Sequence, residues 1–199
     1  MRGPVVPSFV LTLAAFVLLV LIVFSAPFIK SLFFLRAHTP DVVDFGMWGF
    51  CIGNTCTPKT LGYERNPEII VWLTKVLVFF PIAAGFTGIS LLALLPAVVY
   101  GRRRDIIYPP PLYSLMLIPS AFASVIAFAF QMALFTVAKI RFDRAELSAS
   151  YGACPWMSLV AMIILLGLMF YTGCGSTWRG PFGQMSPYIQ NRLSGVYAY

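Results

Sequence analysis

Apolar residues in this chain of 199 residues come in four long blocks, with no strict alternation and no sustained amphipathic period. No charged residue occurs between Arg2 and Lys30, Lys75 and Arg102, Asp105 and Lys139, or Glu146 and Arg179. Each block exceeds the roughly 20 residues a helix needs to cross a bilayer core of about 30 Å. The blocks predict membrane spans over residues 8–28, 76–100, 112–138 and 151–173. They are expected to be helices, because an isolated span must satisfy its own backbone hydrogen bonds. The first block follows Met1-Arg2 as a signal peptide would. It is long for a secretory core, and Pro27 after Ala26 makes a poor cleavage site, so it is expected to remain as an anchor. Pro81, Pro96 and Pro119 fall within or at the ends of spans, where membrane helices tolerate them. Ala84 with Gly88, and Ala123 with Ala127, are small-xxx-small pairs suited to close packing within a bundle.

Composition points the same way. Hydrophobic residues make up 59% of the chain and charged residues 11%, too little polar surface to cover a water-soluble globule. The net charge of +7 would suggest nucleic acid in a soluble protein. Here the basic residues lie between apolar blocks, so they read as topology and lipid-headgroup signals, and no nucleic-acid partner is expected. Arg102, Arg103 and Arg104 directly follow the second span and mark a cytoplasmic, inner-leaflet loop. Arg2, Arg179 and Arg192 fall on the same side, giving six basic residues against one acidic, and the opposite side carries eight against six. Net charge leans towards both termini in the cytoplasm, and the cysteines of the opposite side decide for that orientation.

The long polar segment over residues 36–72 is expected outside. Residues 45–52 read as a strand, followed by the turn signal Gly53-Asn54. Cys51 and Cys56 flank that turn and can face each other across a hairpin. A disulfide there requires an oxidising compartment. The competing readings are two free thiols or half a zinc site, for which only His38 is near. Gly46 and Gly49 beside Trp48 permit a bulge or close backbone approach. A small extracellular antiparallel sheet on a four-helix bundle follows, with residues 1–174 as the membrane domain and 175–199 as a short cytoplasmic tail. Asn54-Thr55-Cys56 is a minor glycosylation sequon that would compete with the disulfide, and it is discounted.

Candidate chemistry is sparse. No nucleophile–base order, phosphate loop or metal-ligand spacing occurs, so neither catalysis nor a cofactor or metal is expected. The predicted spans carry no charged residue, which argues against a pump or coupled transporter. Gln131, the most polar span residue, is expected to make an interhelical hydrogen bond. Asp41, Asp44 and Glu64, with Glu68, either line an outer cation path or form a solvated loop surface. His38 titrates in the physiological range, and an exposed histidine without a role is its simpler reading. Cys154 and Cys174 lie at opposite ends of the fourth span. Cys174 is placed for palmitoylation or is an inert thiol.

Four spans, a long first outer loop and the run Gly46-Met47-Trp48-Gly49-Phe50-Cys51 with a second cysteine resemble the claudin-like superfamily. Residues 45–51, followed by Cys56-Thr57 and Gly62-Tyr63, are most similar to the PalI family of fungal plasma-membrane proteins; eisosome-associated relatives share parts of the pattern. The resemblance implies a non-enzymatic protein that associates laterally with lipids and other integral membrane proteins. It implies support of ambient-pH signalling, through a larger seven-span sensor that the protein helps to reach or stay at the plasma membrane. Alternatives are an organiser of membrane domains and a claudin-like ion pore or calcium-influx subunit; a homo-oligomer is compatible with each. Many members carry a long cytoplasmic tail, against residues 175–199 here, so no role is assigned to a tail.

Overall fold

The computed structural model describes residues 5–29, 31–38, 42–53, 55–56, 75–100, 111–144 and 148–177. Among these, four helices are long and apolar enough to cross a membrane. They are α1 (Val5–Val23), α2 (Phe79–Tyr100), α3 (Pro111–Arg144) and α4 (Cys154–Thr177). Their main contacts run round a ring, α1 on α2, α2 on α3, α3 on α4 and α4 on α1.

The helices lack an amphipathic period because both faces avoid charge. The difference between the faces is size and hydroxyl content. α1 buries Ser8, Thr12, Ala15, Leu19 and Ile22, a stripe at alternating steps of four and three, and exposes Val6, Val10, Leu13 and Val17. Small and hydroxyl side chains let backbones approach and bond across helices where lipid supplies no hydrophobic drive between them. The Thr12 and Tyr113 hydroxyls lie 3.1 Å apart between α1 and α3. The Thr87 hydroxyl donates to the Ala83 carbonyl at 2.7 Å and meets the Ser120 hydroxyl at 2.6 Å, tying α2 to α3. Gly88 leaves room for the Phe16 ring, which a β-carbon would meet at 3.1 Å.

Gln131 departs from this pattern. It is fully buried in α3, and neither its amide oxygen nor its nitrogen has a hydrogen-bond partner. The expected interhelical bond is therefore not formed.

At one end the bundle carries an antiparallel sheet of β1 (Leu35–His38), β2 (Val42–Phe45), β3 (Phe50–Ile52), β4 (Thr55–Cys56) and β5 (Ser148–Tyr151). Its order is β4-β3-β2-β1-β5. The alternation Leu35-Arg36-Ala37 and Val43-Asp44-Phe45 sends the apolar members to the core, where Leu35, Ala37, Val43 and Phe45 are inaccessible to solvent. Phe34 locks sheet to bundle: its ring stacks on Phe135 of α3 at 5.1 Å and meets Phe80 of α2 at 6.2 Å.

Several boundaries differ from the sequence reading. The expected strand over 45–52 is two strands joined by a turn at 46–49, for a reason given below. The sheet is not confined to the first loop, since β5 comes from the connection between α3 and α4 and β1 starts before residue 36. Tyr151 therefore belongs to β5, and the fourth helix starts at Cys154. The first helix stops at Val23 rather than 28. Phe24 still bonds back to Val20, but the Ser25 N–H turns to the Ile22 carbonyl, and Pro27 has no N–H to continue the ladder. α2 starts at Phe79, after a turn at 77–78. α3 runs six residues past 138, to Arg144. At 1.5 Å per residue its 34 residues span about 51 Å, so it outlasts the bilayer core and supports the sheet.

Candidate functional site: a clasp between the first helix and the sheet

The turn at 46–49 seats the sheet on the end of α1. The Gly46 N–H donates to the Gly49 carbonyl at 2.9 Å, closing the turn. The Met47 N–H donates to the buried Ser25 hydroxyl at 3.1 Å. The Trp48 indole N–H donates to the Val23 carbonyl at 2.8 Å. Val23 is the last residue of α1, whose terminal carbonyls have no intrahelical donor, so the indole acts as a side-chain cap. Gly46 lies against Ala26, and a β-carbon at Gly46 would fall inside the van der Waals envelope of the Ala26 carbonyl oxygen. This contact breaks the expected continuous strand: the chain must leave the sheet plane to reach α1, and only glycine fits there. Replacing Trp48 by phenylalanine keeps the ring and removes the cap. We expect a loss of about 1 kcal/mol, read as a lower unfolding midpoint in detergent.

A second close approach lies across the sheet. The Gly152 N–H donates to the Phe34 carbonyl at 2.9 Å, and a β-carbon at Gly152 would overlap the Phe33 carbonyl oxygen. The sequence reading missed Gly152 and Ser25. Gly152, between a short alternating run and the Cys154-Pro155 helix start, was the available signal.

The register sets Ser150, Arg36, Asp44, Cys51 and Cys56 side by side across all five strands. Cys51 and Cys56 form a disulfide across the β3–β4 hairpin. Removing it as Cys51→Ala/Cys56→Ala frees a short loop, for which chain entropy gives about 2 kcal/mol. The expected readout is a lower unfolding midpoint for the double variant and a matching shift of the parent in reductant.

Next in the row, the Arg36 Nε and Nη2 donate to the two Asp44 carboxylate oxygens at 2.6 and 2.9 Å, and the guanidinium lies 4.2 Å from the Phe33 ring centroid. The hydrogen bond and charge of Asp44 push the Arg36 pKa above its ordinary value, against the cost of burial. A raised arginine pKa stabilises the fold fully below the unfolded value and loses effect only as pH climbs through the folded one. That window lies above the physiological range, so Arg36 stays charged throughout it.

Both carboxylate oxygens of Asp44 are thus engaged by Arg36. Asp41, Glu64, Gly62, Tyr63 and Arg102–Arg104 lie outside the described residues, as does the 178–199 segment of the tail. His38 is the last residue of β1, paired in register with Val42 and Ser148. Cys154 is a buried free thiol at the start of α4, and the backbone of Cys174 lies in the last turn of that helix. Among the described residues no three His, Cys, Asp or Glu side chains gather as metal ligands.

Comparison with known proteins places this architecture. The model of the SUR7/PalI family matches residues 4–168, which take in the first three helices, all five strands and the first part of α4. The pH-response regulator protein palI/RIM9 of Emericella nidulans is 30% identical over 180 residues, 82% of this chain and 30% of that protein. The pH-response regulator protein palI/prr-5 of Neurospora crassa is 32% identical over 105 residues, 45% of this chain and 15% of that protein. The chain thus spans under a third of the length of these relatives. A family match that begins ahead of α1 and ends within α4 covers the helices, the clasp and the disulfide-bearing hairpin alike, and the chain belongs to the SUR7/PalI family.

Proposed function

We propose that this chain is a non-enzymatic component of ambient-pH signalling in the plasma membrane, with both termini cytoplasmic and the sheet outside. It acts by lateral association with a larger integral membrane sensor and with lipids. The observation that carries the reading is the similarity to two proteins named pH-response regulators, which takes in most of the membrane domain in the first of them. The disulfide supports an external sheet, because such bonds persist in oxidising compartments. The clasp and the Phe34 stack support an associative role: they join the sheet to α1, α2 and α3, so a partner held by the sheet also fixes the bundle's orientation.

The test is deletion of the gene followed by a shift to alkaline medium. Growth should fail, and activation of the pathway's transcription factor should be lost; re-expression of the chain should restore both. Normal activation in the deletion strain would refute the reading. A second reading, an organiser of membrane domains, follows from the resemblance to eisosome-associated relatives. It predicts altered surface patches with an intact alkaline response. The pore reading is weakened by the Arg36–Asp44 pair. Asp44→Asn should loosen the sheet and leave ion conductance of reconstituted vesicles unchanged.

A further inference from the structure

We propose that Thr136, Lys139 and Tyr151 form a binding site for the phosphate of an anionic phospholipid, in the leaflet that meets the sheet. The site stands apart from the pH-signalling reading and depends only on the fold. Thr136 and Lys139 are one turn apart on α3, and Tyr151 is the last residue of β5. The Thr136 and Tyr151 hydroxyls lie 3.2 Å apart at an exposed position, and the Lys139 ammonium sits 5.2 Å from the centroid of the Tyr151 ring. One cation and two hydroxyl donors therefore converge on one surface point.

Depth in the membrane selects the ligand. Phe34 touches both Phe135 and Phe80, so Phe135 is level with the start of α2, which opens at Phe79. That level marks the sheet-side edge of the apolar layer. Thr136 adjoins it, and Lys139 lies about 6 Å further out at the helical rise of 1.5 Å per residue, where phosphates sit.

Charge selects further. Among the described residues the carboxylate within ion-pair reach of a base is Asp44, and Arg36 holds it. Lys139 faces an aromatic ring instead, whose negative face steadies the ammonium without neutralising it. A headgroup with net negative charge pairs with the ammonium, whereas a choline headgroup offsets its phosphate with its own cation. The two hydroxyls, bonded to each other in the free protein, are each able to turn and donate to a phosphate oxygen.

The test uses the full chain in phosphatidylcholine vesicles containing spin-labelled phosphatidylglycerol or, separately, spin-labelled phosphatidylcholine. The immobilised lipid fraction is read by electron paramagnetic resonance. The parent should favour phosphatidylglycerol about fivefold, the ratio one basic residue supplies at a membrane surface. Lys139→Met should bring the preference close to one. Tyr151→Phe, which keeps the ring and the strand, and Thr136→Val should each lower it by about half or more. Lys75→Met, a basic residue at the same end of the bundle, should leave it unchanged. An unchanged preference in Lys139→Met, or an equal loss in Lys75→Met, would overturn the site and leave only diffuse attraction. Loss of the preference in about 10 mM inorganic phosphate, at the same ionic strength as the control buffer, would assign the cluster to a soluble anion instead of a lipid.

Discussion

Gly46→Ala is expected to lower the stability of the sheet-bearing end by about 3 kcal/mol, because the added methyl must displace the Ala26 backbone rather than a flexible side chain. Three hydrogen bonds depend on that approach: the turn bond from Gly46 to Gly49, the bond from Met47 to Ser25 and the indole cap on Val23. Losing them together should expose the Trp48 indole and free the end of α1. The measurement is a thermal unfolding curve in detergent, paired with tryptophan emission, which should shift to the red in the variant. Gly53→Ala is the control for a general intolerance of alanine in the hairpin. Gly53 has φ +53° and open space around its α-carbon, so alanine there meets only backbone strain, worth about 1 kcal/mol. Equal losses at the two positions would show that the contact with Ala26 is not what holds the clasp.

Gln131→Met should change stability in the opposite direction. The parent amide is fully buried with both polar atoms unpaired, and each unmade bond costs about 1–3 kcal/mol. Methionine has nearly the same shape and no polar group to satisfy, so the variant should gain about 3 kcal/mol and melt at a higher temperature. Gln131→Glu should lose stability, since it places a carboxyl at the same unpartnered point. A Gln131→Met protein no more stable than its parent would mean that the amide finds partners the static fold does not display.

The membrane part of this fold was legible in the sequence because it is written in charge. Four uncharged blocks marked four helices, and Cys51 with Cys56 marked the hairpin. Local spacing did not reveal what depends on contacts between distant segments. The residues 45–52 alternate well enough to pass for one strand, and only Ala26, twenty positions earlier, explains why the chain breaks at Gly46. Ser148–Tyr151 is too short to announce a strand by itself, and its partner is more than a hundred residues away at β1. The Arg36–Asp44 pair was visible as two charges and not as a pair, because register, rather than proximity along the chain, places them opposite. Gln131 drew notice for its polarity, but whether a buried amide finds a partner depends on neighbouring helices.

The placement of β5 has a consequence for biosynthesis. β1 through β4 are complete once the first 56 residues have emerged, and the disulfide can close within that segment. The remaining edge of β1 stays open until α2 and α3 have both been threaded into the bilayer and residues 148–151 arrive on the same face. A chain arrested after two helices, or inserted with one of them skipped, leaves that edge bare, and a bare edge is a template for aggregation. Pairing by β5 therefore distinguishes a chain threaded past α3 from one arrested or misthreaded before it.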